Sequence, residues 1–161
     1  MPSLTDRDHG ILARLLKQWE ELPSLQVAVG IREDDGDTRA EGGEARVADY
    51  ATYNEFGLGV PERSFLRSTV DGNEERYKKF LQRAGVQMLD GEDPVDALDR
   101  VGMVVAADVK RAIVELDDPP NAPATIAMKG SANPLIDSGR MVNSISHEVR
   151  TDGRNPGSGV S

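Results

Sequence analysis

Residues 74–117, EERYKKFLQRAGVQMLDGEDPVDALDRVGMVVAADVKRAIVELD, carry two helical periods separated by a hinge. In the first, Tyr77, Phe80, Leu81, Ala84 and Met88 share a face, which predicts an amphipathic helix over Glu74–Leu89. Asp90-Gly91-Glu92-Asp93-Pro94 then supplies a C-terminal glycine, an aspartate N-cap and a first-turn proline. A second long helix therefore starts near Pro94. Val95, Leu98, Val101, Val105, Val109, Ile113 and Leu116 carry its apolar stripe to Asp117.

On the amino-terminal side, LQVAVGI at Leu25–Ile31 is β-branched and mostly alternating, so it reads as a strand entering a polar turn. Ala45 to Phe56 has helical pattern, with Val47, Ala48, Tyr50 and Ala51 on one side and Gly57 placed to end it in a left-handed cap. Gly57, Gly59 and Pro61 interrupt regular structure before Glu74. Earlier still, Leu12, Leu15, Leu16, Trp19 and Leu22 form a short amphipathic stripe stopped by Pro23. On the carboxyl side, DDPPNAPATIAMKGSANP holds four prolines in 18 positions, a long loop of the kind that carries function. A short helix is expected to begin near Asp137 or Ser138. Ile145, His147 and Val149 then alternate with Ser146, Glu148 and Arg150 as in a strand. The predicted organisation is an amino-terminal helical segment (1–24), an α+β domain (25–150) and a flexible tail (151–161).

Composition narrows the function classes. The 161 residues suit one domain with a real core. No apolar run approaches the ~20 residues of a membrane span, and MPSLTDRDHG lacks the features of a secretion signal. With no cysteine, thiolate catalysis and disulfide staples are excluded. Nineteen basic residues against 28 acidic ones give a net charge of −9, the wrong sign for a protein that grips phosphate backbones.

Catalytic and ligand motifs are weak throughout. His9 and His147 have no metal-ligand spacing, and Glu33, Asp34, Asp35 and Asp37 lack the ligand register of a calcium loop. Gly57-Leu58-Gly59 lacks the third glycine and the preceding strand of a dinucleotide fingerprint. Asp137-Ser138-Gly139-Arg140 lacks a nucleophile elbow and reads as a helix start. No catalytic residue, cofactor or metal is expected. Aromatics are only 4% of the chain, yet DYATYNEFGLGVPERSFL at Asp49–Leu66 gathers four of them beside glycines and a proline. That concentration marks an anchored loop.

Two blocks carry a resemblance. Val47-Ala48-Asp49-Tyr50-Ala51-Thr52-Tyr53-Asn54-Glu55-Phe56-Gly57 continuing to Pro61-Glu62-Arg63-Ser64-Phe65-Leu66-Arg67, and Lys129-Gly130-Ser131 followed by Asn133-Pro134-Leu135-Ile136-Asp137-Ser138-Gly139-Arg140-Met141-Val142-Asn143-Ser144-Ile145, resemble the paired motifs of tailed-bacteriophage neck and tail-completion proteins. Ser138 and Met141 stand where the family more often has Thr and Leu, and the amino-terminal helix is less typical.

The resemblance implies a single α+β domain with an antiparallel sheet packed against two long helices. It implies a structural, non-enzymatic virion protein assembled in the host cytoplasm into a homo-oligomeric ring, a hexamer, that completes or terminates the tail. Implied partners are a head adaptor or stopper protein and the tail-tube protein. Six copies would carry a formal charge of −54, six times the −9 of one chain, and an acidic lumen would let DNA slide without specific binding. Arg63, Phe65, Leu66, Arg67, Met128, Lys129 and Arg140 are nominated as interface residues, with Arg63 and Arg67 pairing with acids of the next subunit. Phe56, Phe65 and Leu66 also read as core. A head-side stopper, a minor tail assembly factor, a small acidic hydrolase and a carbohydrate-binding module stand as alternatives.

Overall fold

The computed structural model describes residues 24–32, 46–120 and 139–151, together with Gly10, Ala13, Arg14, Leu16, Lys17, Pro123, Ala127 and Leu135. Its elements run β1 (Leu25–Ile31), α1 (Val47–Phe56), α2 (Arg67–Gly72), α3 (Glu74–Leu89), α4 (Pro94–Glu115), α5 (Arg140–Ser144) and β2 (Ile145–Thr151). The strands pair as a two-stranded antiparallel sheet, so the class is α+β, as expected. Both predicted strands and both long helices form where periodicity put them. The acidic turn after Ile31, most of the amino-terminal stripe, and Met128, Lys129, Asp137 and Ser138 lie outside the described residues.

The described residues fall into two compact units built from discontinuous stretches, one within 29–74 and 103–147, the other 75–102 with 24–28 and 148–151. The chain passes from one to the other within β1, at the start of α3, within α4 and within β2. In the second unit α3 buries Tyr77, Ala84 and Met88, and the first half of α4 buries Ala97, Leu98 and Val101. Leu81, expected on the buried face of α3, is exposed. The hinge between these helices obeys its sequence. Gly91 takes φ +98°, a left-handed conformation, and Glu92 donates its N–H back to the Gln87 carbonyl at 3.0 Å. Asp93 Oδ1 accepts the N–H groups of Val95 at 2.8 Å and Asp96 at 3.3 Å, which is N-capping at the place the motif predicts. Arg100 braces the corner through Glu92 at 2.6 Å.

The larger unit has one hydrophobic core. Val109 and Ile113 of α4, both fully buried, meet Val47 and Ala51 of α1, Phe65, Leu135, Met141 of α5 and Ile145 of β2. Val29 and Ile31 of β1 pack on the same cluster. The later half of α4 therefore lies against the sheet, and α1 and α5 close the core around it. α5 starts later than expected, at Arg140, because Gly139 takes φ +74° and its carbonyl accepts the Asn143 N–H at 3.1 Å.

Candidate interaction surface

In α1 the residues that face inward are Val47, Ala51, Asn54 and Glu55. At 100° per residue Phe56 stands about 180° around the helix from Val47, on the opposite side. It is 53% exposed, with Tyr53 and Leu58 exposed beside it. The reading of Phe56 as core is thus corrected: Tyr50 is half-buried against the core, but Tyr53 and Phe56 point to solvent. Two polar residues take the inward positions instead.

Glu55, 4% exposed, is the centre of the local structure. Its Oε2 accepts the backbone N–H groups of Phe65 and Leu66, each at 2.9 Å. Its Oε1 accepts the Arg67 N–H at 2.9 Å, the Ser64 hydroxyl at 2.9 Å and Arg67 Nε at 3.1 Å. These donors lie at the start of α2, whose adjoining residue Leu66 offers no side-chain cap. A carboxylate supplied from twelve residues before Arg67 does the capping. Burial by itself would raise the Glu55 pKa. Hydrogen bonds from Leu66, Arg67 and Ser64 outweigh it and hold the carboxyl below its ordinary value.

Asn54 and Arg63 form the second half of the clamp. The Asn54 carbonyl accepts the Arg63 N–H at 2.7 Å, and Asn54 Oδ1 accepts Arg63 Nη1 at 3.2 Å. Arg63 Nε and Nη2 reach the carbonyls of Pro119 at 2.9 Å and Pro120 at 3.2 Å, just beyond α4. The planar guanidinium fork suits this spread of acceptors. Gly57 at φ +66° accepts the turn between the two halves, and its Leu58 neighbour donates to the Tyr53 carbonyl at 2.9 Å.

The sequence-nominated interface residues therefore divide. Arg63 is 6% exposed and tied within its own chain, so its expected role as a surface partner for a neighbouring acid is corrected. Arg67 is half-exposed, but its guanidinium already serves Glu55 and Glu62, at 3.1 and 2.9 Å, and lies 4.7 Å over the Phe56 ring. Phe65 is core and Leu66 packs partly buried against it. Arg140 is half-buried at the start of α5, and Met128 and Lys129 lie outside the described residues.

The apolar residues that reach solvent here were not among the nominated residues. Tyr53, Phe56, Leu58 and Val60 form an exposed apolar run on the last turn of α1 and the loop after it. Beside this run a cleft of about 250 Å³ is lined by Ile31, Ala48, Ala51, Thr52, Phe56 and Ile145, with Glu55 and Phe65 also at its wall. Apolar residues alternating with glycines in Phe56-Gly57-Leu58-Gly59-Val60 were the available signal.

Among the described residues no cluster of three or more His, Asp or Glu is arranged to hold a metal ion, and no helix is long and apolar enough to cross a membrane. No family model, curated protein or solved structure matches the chain.

Proposed function

We propose that this chain is a structural subunit of the tailed-bacteriophage neck, assembling into a sixfold ring that completes or terminates the tail and joins it to the head. The observation that carries this reading is the use made of the first motif. Asn54, Glu55, Arg63, Ser64 and Arg67 hold a short loop in one conformation, and that loop exposes Leu58 and Val60. Prepaid order of this kind lowers the entropic cost of docking and suits a subunit that must meet neighbours in fixed register. The surface offered is apolar, as the centre of a protein interface is.

The remaining parts of the reading follow from charge. A net charge of −9 per copy disfavours DNA grip, and a ring of such copies would repel phosphates along its bore while the genome passes. Head adaptor or stopper protein on one side and tail-tube protein on the other are the partners proposed. Electron microscopy of the purified protein, alone and mixed with tail tubes, tests the function. Sixfold rings capping tube ends are expected; a protein that leaves tube ends bare and binds sugar instead would overturn the reading.

A further inference from the structure

We propose that neighbouring copies join by a knob and cleft: Leu58 of one copy seats in the apolar cleft beside α1 of the next. The inference rests on the reading of the chain as a self-assembling ring subunit, and names the contact that reading leaves open. Leu58 is 54% exposed, one of the more exposed large apolar side chains of the described residues, yet its backbone is fixed. Gly57 at φ +66° and Gly59 at φ +75° flank it, and the Glu55 and Arg63 bonds hold both ends of the loop. It is a rigid projection.

The cleft has room for it and a mainly uncharged lining. At about 250 Å³ it lies below the ~300–1,000 Å³ of pockets that take drug-sized ligands, and has room for the whole Leu58 side chain. Ile31, Ala48, Ala51, Thr52 and Ile145 give it an uncharged wall; the carboxylate of Glu55, also at the wall, is fully occupied by hydrogen bonds. Copies with a net charge of −9 repel one another, so they associate where little negative charge is brought together. Phe56 to Pro61 contains no charged residue, and beside the cleft exposed Arg32, next to Ile31, offsets exposed Asp49, next to Ala48. Knob and cleft occupy different places on the same compact unit. Such a heterologous contact propagates head to tail and closes into a ring where the rotation allows.

Because the chain has no cysteine, the contact can be tested by directed cross-linking. Copies carrying Leu58→Cys are mixed with copies carrying Thr52→Cys under mild oxidation, in solution and on tail tubes. A disulfide-linked heterodimer is expected in the mixture, with far less cross-linking in either variant alone. Separately, Leu58→Glu is expected to keep the wild-type melting curve and to weaken self-association about ten- to a hundredfold, the loss for one buried leucine. Wild-type rings without the mixed cross-link, or undiminished assembly of Leu58→Glu, would overturn the knob and cleft and leave the ring reading standing. Cross-linking of Leu58→Cys to the tail-tube protein instead of a second copy would also overturn it. Failure of the wild type to assemble, even on tubes, would overturn both.

Discussion

Arg67 donates to Glu55 three times: its backbone N–H to Oε1 at 2.9 Å, its Nε to the same oxygen at 3.1 Å, and its Nη2 to the Glu55 carbonyl at 2.8 Å. One residue at the start of α2 thus satisfies both the side chain and the main chain of one at the end of α1. The two helices and the loop between them behave as one piece. Breaking that piece has measurable consequences.

Glu55→Gln keeps the shape but replaces one acceptor oxygen with a donor, leaving buried N–H groups of the Phe65–Arg67 segment without an acceptor. Denaturant unfolding at pH 7 should show a loss of about 2–4 kcal/mol. The pH dependence has a definite sign. The folded carboxyl titrates below its ordinary value of 4.5, so its stabilisation is fully present above that pH and is lost as pH falls through the lower folded value. The gap between wild type and Glu55→Gln should stay constant from neutral pH to about pH 5 and close under more acidic conditions.

Arg63 should be intolerant of a conservative change. Its fork meets Asn54 Oδ1 and the Pro119 and Pro120 carbonyls, a set that one ammonium cannot span. Thermal unfolding should rank wild type above Arg63→Lys and Arg63→Ala lowest, with the alanine variant down by about 2–4 kcal/mol.

The two loop glycines should differ. A Cβ on Gly57 would lie 3.0 Å from the Glu62 Cβ and 3.2 Å from its Cα, and the position also has φ +66°. Gly59 has φ +75° with no atom in the way. Gly59→Ala should cost only the left-handed strain, about 1–2 kcal/mol, and Gly57→Ala more, as read from denaturant midpoints.

Within α4, burial sets the ranking. Ile113 is fully buried and Met103 is 56% exposed on the same helix. Ile113→Ala should lose about 2–5 kcal/mol, whereas Met103→Ala should stay within about 0.5 kcal/mol in the same unfolding assay.

How far the fold could be read from sequence depended on how local each cause was. α3 and α4 were legible because Tyr77, Ala84, Met88, Leu98, Val105 and Ile113 recur at helical steps, and because Gly91 and Asp93 act on their immediate neighbours. α2 was missed: RSTVDG has poor helix formers, and its cap is Glu55, twelve residues before Arg67. The inward placement of Asn54 and Glu55 was hidden for the same reason, since their partners lie across a loop. Hydrophobicity alone therefore assigned Phe56 to the core when the helix phase turns it outward. For the candidate site, sequence nominated Arg63 and Arg67 as contacts, and the fold uses both side chains internally.

The first motif is a clamp that holds an apolar loop in one conformation, and backbone hydrogen exchange at Phe65, Leu66 and Arg67 reads it out. In the wild type these three amides should exchange as slowly as those of Val109 and Ile113 in α4, and in Glu55→Gln they should become fast while α4 stays protected. Rapid exchange of the three amides in the wild type, at the rate of an unconstrained loop, would contradict the clamp.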